Sequence, residues 1–188
     1  GRRAHRWRPC TDGSLFTTDL LMSTQAVKHP ADTIVEMNQI VLPQHTNALG
    51  TAFGGTIASW IDICAAMSAQ RHCRRNVVTA SMDQLHFVAP IQAGQMVSLR
   101  SMVNYAGRTS MEVGVRVEAE DMLSGERMHA VSAYLTFVAV DADRKPCPIP
   151  ALEPCSAEEK LRCEEAQARR RQRLEFSAQR RQLAAKHR

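Results

Sequence analysis

The sequence has no CxxC pair among its six cysteines, Cys10, Cys64, Cys73, Cys147, Cys155 and Cys163, and Cys64 and Cys73 fall on one expected buried helix. Zinc sites and a disulfide framework are therefore not indicated, and free thiols in a reducing compartment are expected. No apolar stretch reaches the roughly 18 to 20 residues that cross a bilayer as a helix, and residues 1–21 lack the apolar centre of a secretory signal. A soluble, cytoplasmic protein without a membrane partner follows as the expectation. There is no internal repeat, and no Gly-x-Ser-x-Gly elbow of the kind that serine hydrolases carry.

A basic body is also missing, although the net charge is +5. The excess sits at the ends: residues 1–21 carry four Arg against two Asp, and residues 156–188 carry ten Lys or Arg against five Glu. Residues 22–155 carry ten basic and twelve acidic groups. A charged tail is more often a solvated helix than a nucleic-acid arm, so no nucleic-acid partner is expected.

The most consequential absence is local. No Lys or Arg occurs from His29 to Gln70, yet Asp62 stands in the apolar run Gly54-Gly55-Thr56-Ile57-Ala58-Ser59-Trp60-Ile61-Asp62-Ile63-Cys64-Ala65-Ala66-Met67. A run apolar on nearly every side reads as an enclosed helix. An ion buried there without a partner is costly. Either a distant cation or donor satisfies Asp62, or its proton affinity is used, as in a general base.

What is present around that helix is alternation. Thr33–Leu42 reads as a strand ended by Pro43, and Gln44–Thr51 as a polar turn leading to the Gly-Gly helix start. Four further strands are expected at 77–87, 95–105, 111–119 and 129–140, separated by turn chemistry at Pro90–Gly94, Gly107-Arg108 and Ser124-Gly125. One helix among consecutive antiparallel strands implies an α+β fold, with the sheet wrapped around the helix. Residues 141–154 read as a Pro-rich linker and 155–188 as a charged helix, with Ser156 as N-cap and an acidic first turn. Residues 1–21 read as an upstream extension, with Met22 resembling an ordinary start and 22–140 forming the main domain.

The segment Gln44-His45-Thr46-Asn47-Ala48-Leu49-Gly50-Thr51-Ala52-Phe53-Gly54-Gly55, with Trp60-Ile61-Asp62, resembles the signature of hotdog-fold acyl-CoA thioesterases. The resemblance continues through Val78-Thr79-Ala80-Ser81-Met82-Asp83 and Gly107-Arg108-Thr109-Ser110-Met111-Glu112, and covers roughly residues 33–140. It implies a curved antiparallel sheet around a long central helix, paired into hotdog dimers and commonly a hexameric trimer of dimers. The Asn of one protomer faces the Asp of the other in that family.

The resemblance also implies roles. Asp62 serves as general base or as nucleophile, and the residues themselves do not choose between these. Asn47 orients water or carbonyl, and the Gly55 N–H at the helix start, framed by Gly54, donates to the developing oxyanion. Ala80, Ser81, Met82, Arg108, Thr109, Ser110 and Met111 are the expected coenzyme A or acyl contacts. In the tail, Arg170 is the residue that resembles an arginine reaching the coenzyme A phosphates. No cofactor is required, coenzyme A being part of the substrate and then a product. The rival on the same fold is a non-catalytic acyl-CoA sensor, against which Asp62 argues. A hotdog hydratase would pair its Asp with a His, and Asp62-Ile63-Cys64 has none.

Overall fold

The computed structural model describes residues 27–186. The expectations for residues 1–21 lie outside them. A short 3-10 helix, Pro30–Thr33, leads into β1 (Val35–Ile40), and a second one, Pro43–His45, follows. Then come α1 (Gly54–Cys73), β2 (Asn76–Phe87), β3 (Met96–Ala106), β4 (Ser110–Glu120), β5 (Arg127–Val140) and α2 (Ala157–Lys186). The first expected strand is shorter than the alternation suggested, because Thr33 belongs to the helical turn and donates its hydroxyl to the Pro30 carbonyl. No helix among the described residues is long and apolar enough to cross a membrane.

The five strands form one antiparallel sheet in the order β1-β3-β4-β5-β2, so β1 and β2 are its edges. Its inner face is wrapped on α1. Ile57, Ile61, Cys64, Ala65 and Ala69 recur at helical spacing and pack with Val97, Leu99, Val103, Val113, Val117, Leu135 and Phe137. A polar knot fixes α1 on β3: Ser68 Oγ donates to the Thr33 carbonyl and meets Ser101 Oγ, and Ser101 Oγ also lies 2.9 Å from the Cys64 carbonyl. Each of these buried groups gains a partner, which removes the penalty of leaving it dry.

The helix is not enclosed on every side, contrary to the expectation from its composition. Gly55, Ser59, Ile63, Met67 and Gln70 form an exposed stripe, with Ile63 49% and Met67 37% exposed. The neighbouring edge strand β2 adds Val78, Met82 and Phe87 to the exposed apolar surface. Among the described residues no strand pairs with the outer edge of β2, which lies beside this apolar helix stripe.

At the far end of α1, Arg74 takes the left-handed conformation that closes the helix, at φ 52°. His72 is wholly buried there; Nε2 lies 3.0 Å from the Pro150 carbonyl of the linker, while Nδ1 has no partner among the described residues. Burial holds its pKa below the ordinary 6.5, with the Pro150 carbonyl working the other way and Lys28 adding to the depression. The native state thus keeps His72 neutral where the unfolded chain takes up a proton. This contribution to stability is intact above pH 6.5 and falls as pH drops below it, until the depressed native value is reached, by at most about 1.4 kcal/mol per pH unit. Urea midpoints measured between pH 5 and 8 should show that slope, and His72→Phe should remove its share.

Candidate active site

Asp62 sits midway along α1 at the margin of the exposed stripe, half-buried. No cation meets it. The Thr79 hydroxyl on β2 donates to its Oδ1 at 2.7 Å, and Oδ2 makes no hydrogen bond among the described residues. The carboxylate is therefore held by one oxygen and open at the other, which is the arrangement a proton acceptor needs. The resemblance gives Thr79 no role, although it lies in the Val78–Asp83 block. The signal that could have found it is the need of an unpaired helix carboxylate for a hydroxyl donor on the adjacent strand.

The start of α1 lies at Gly54 and Gly55. Thr56 and Ile57 N–H donate to the Phe53 carbonyl, whereas the Gly54 and Gly55 N–H groups have no acceptor among the described residues. Free N–H groups and the positive end of the helix dipole converge there. The two glycines lie against aromatic rings: a Cβ on Gly55 would stand 2.4 Å from the Phe53 ring, and one on Gly54 would stand 3.3 Å from that of Phe87. Beside Gly54 opens a largely apolar cavity of about 370 Å³, lined by Ala52, Ile57, Phe87, Val88, Pro90 and Ile91 among others.

Asn47 is occupied within its own loop. Its Oδ1 accepts the N–H groups of Leu49 and Thr51, and its Nδ2 donates to Thr51 Oγ1. This Asx-type loop orders the approach to the glycines, and within the chain Asn47 does not meet Asp62. His45 packs edge-on against Trp60 with ring centroids 5.1 Å apart.

The remaining predicted contacts divide. Arg108 is exposed at the turn between β3 and β4, where Gly107 N–H donates to the Ser110 carbonyl; Thr109 and Ser110 are half-buried. Ala80 and Met82 are exposed on β2, and Ser81 Oγ donates to Asp83 Oδ1. Met111 is 1% exposed and belongs to the core, because its place in the alternation of β4 turns it inward with Val113 and Val115.

The tail helix is docked. Arg169 lies in a fork-like contact with the buried Glu112, at 2.8 and 3.3 Å, and its guanidinium stands 3.7 Å over the Tyr134 ring. Burial works against the charge of Arg169, but the Glu112 carboxylate outweighs it and raises the pKa above the ordinary arginine value. Arg173 pairs with Asp83. Arg170 is half-exposed and has no ion-pair partner among the described residues. The reading of α2 as a merely solvated face misses these two anchors, since a lone sequence does not reveal which strand carboxylates lie under it.

Residues 49–126 match the family model of the thioesterase superfamily. The chain is 44% identical over 138 residues to the uncharacterized acyl-CoA thioester hydrolase YkhA of Bacillus subtilis, covering 73% of this chain and 80% of that one. It is 39% identical over 148 residues to acyl-coenzyme A thioesterase 11 of Mus musculus, covering 78% of this chain but 25% of the mouse protein. Among solved structures, an acyl-CoA hydrolase from Staphylococcus aureus in complex with butyryl coenzyme A, coenzyme A and coenzyme A disulfide superposes with a TM-score of 0.79 at 36% identity, over 85% of this chain and 98% of that one. Alanine variants of that hydrolase have also been solved, at an asparagine, an aspartate and a threonine spaced along its chain as Asn47, Asp62 and Thr79 are here. An apo hexameric acyl-CoA thioesterase matches with a TM-score of 0.77 at 40% identity, over 81% of this chain and 99% of that one.

Proposed function

This chain belongs to the thioesterase superfamily, and we propose that it hydrolyses acyl-CoA to a free acid and coenzyme A at a site completed by a second copy. The observation that carries this reading is the carboxylate of Asp62, held by Thr79 through one oxygen and open at the other on an exposed apolar stripe. In the water route, Oδ2 takes a proton from water as its oxygen attacks the thioester carbonyl carbon. The tetrahedral oxyanion then collapses, breaking the C–S bond, and coenzyme A leaves as the thiolate that receives a proton. In the alternative route Oδ2 attacks the carbonyl itself, giving a mixed anhydride that water opens. A sensor would gain nothing from an open carboxylate at that place.

Helix geometry supports the second copy. Seven residues at about 1.5 Å each separate Asp62 from Gly55 by roughly 10 Å along α1, too far for both to act on one carbonyl from one chain. Gly55 N–H and Asp62 therefore serve the same thioester only from facing protomers, packed through the β2 edge and the Ile63 and Met67 stripe. Asn47 enters from the protomer opposite Asp62. The apolar cavity beside Gly54 takes the acyl chain, and Arg108, Ser110 and Arg170 offer donors and charge to coenzyme A phosphates. Three such dimers form the hexamer we infer. The pairing of Arg169 and Arg173 with sheet carboxylates weakens any case for α2 as a nucleic-acid arm.

The test is complementation. Asn47→Ala and Asp62→Asn chains, each inactive alone in release of coenzyme A thiol from a panel of acyl-CoAs, should regain activity when co-expressed. A mixed dimer carries both changes at one site and neither at the other. Mixed dimers without activity would place both residues in one protomer's site and overturn the shared arrangement.

A further inference from the structure

We propose that the C-terminal helix is a working part of the active site: Arg173, through Asp83, holds a double bulge in β2 that aims the Thr79 hydroxyl at Asp62. The inference rests on the reading of Asp62 as the reacting carboxylate and adds Asp83 and Arg173 as positioning residues.

The register of β2 on β5 slips twice, between Thr79 and Ser81 and between Met82 and Gln84, which leaves Ala80 and Asp83 as extra residues. Directly paired residues of an antiparallel sheet share a face. Thr79 pairs with the core residue Phe137 and so faces α1, while Ser81 pairs with Thr136 and faces outward. In an unbulged strand the two would lie on the same face. The first bulge is what allows Thr79 to reach Asp62 while Ser81 turns to the opposite side. Within one chain β2 has no strand beyond it among the described residues, so the irregularity must be held by contacts to the sheet's outer face.

The fixing comes from the outer face. Asp83, the second extra residue, accepts the hydroxyls of Ser81 and Thr136 and pairs with Arg173 of α2. Glu112 pairs with Thr136 in the register of β4 on β5, so Glu112, Thr136 and Ser81 form one row across three strands. Arg169 grips the Glu112 end, and Arg173, one helical turn on, grips the Ser81 end through Asp83. The helix thus spans the row, and its second anchor stands next to the bulge. Losing it frees the strand to slip toward regular pairing, which turns the Thr79 hydroxyl away.

The experiment compares Thr79→Ala, Arg173→Met, Arg173→Lys, Asp83→Asn and the Arg173→Met/Asp83→Asn double variant in steady-state release of coenzyme A, with thermal unfolding of each. Arg173→Met is expected to lower kcat about tenfold while KM stays within about twofold, because the lost interaction acts on the reacting carboxylate and not on substrate binding. Arg173→Lys should restore most of kcat, and the double variant should be no worse than the poorer single one, as for two members of one linkage. Adding Arg173→Met to Thr79→Ala should cost little further. Thr79→Ala lowering kcat while Arg173→Met changes only KM or the unfolding temperature would overturn the clamp and leave Asp62's role standing. Full kcat in Asp62→Asn would instead remove the reading on which the clamp rests.

Discussion

Replacing Asp62 with Asn should lower kcat for acyl-CoA hydrolysis by about a thousandfold, within the range that removal of a general base commonly produces. The substitution is chosen because it keeps shape. The amide oxygen still accepts the Thr79 hydroxyl now bonded to Oδ1, and no cation among the described residues pairs with this position and would be left unpaired. The unfolding temperature should therefore be unchanged or slightly raised, which separates lost chemistry from lost fold. In both routes the open oxygen is the reacting atom, either as the acceptor of the water proton or as the group that attacks the thioester. An amide is a poor base and a poor nucleophile. Steady-state thiol release across acyl chain lengths, with binding measured separately, gives the result: binding kept and turnover lost. A kcat within tenfold of wild type would move the reacting group elsewhere.

The second large effect is on stability. Arg169→Met should destabilise the protein by about 3 to 5 kcal/mol, because the Glu112 carboxylate, whose side chain is 3% exposed, is left without its countercharge. Methionine keeps much of the apolar stem against Tyr134 while removing the guanidinium that lies over the ring. At about 2 to 4 °C per kcal/mol for a domain of this size, the midpoint should fall by roughly 6 to 20 °C. Adding Glu112→Met should recover most of that loss, since a well-packed apolar pair can replace a buried ion pair at little net change. Thermal scans at one fixed protein concentration make the comparison, because association also contributes to the midpoint. A single variant as stable as wild type would mean that Glu112 is hydrated without Arg169, and that α2 does not seal it.

Much of the fold was legible because its signals are local. Alternation in 95–105, 111–119 and 129–140 maps onto β3, β4 and β5, and the turn residues between them mark the chain reversals. The start of α1 at Gly54 and of α2 after Ser156 follow from glycine and capping chemistry. Three things were not legible. The composition of 54–67 suggested enclosure on all sides, whereas one stripe of α1 faces out; an apolar stripe left for a partner looks the same in sequence as one left for the core. The burial of Met111 follows from the phase of β4, which a motif does not report. The resemblance singles out Arg170 in the tail, but nothing in local spacing marks Arg169 and Arg173 as anchors, which only docking reveals, while Arg170 has no ion-pair partner among the described residues.

The sequence by itself determined the order of elements, the helix start with two glycines, and an acid without a local cation, because hydrophobic period, capping and charge balance act over a few residues. Only the tertiary structure decided what answers that acid. Thr79 reaches Asp62 because β2 bulges, and the Asp83 extra residue of that strand is held by an arginine ninety positions further along the chain. Contacts between residues so distant in sequence depend on strand register and on where a helix docks, and neither leaves a mark in local spacing.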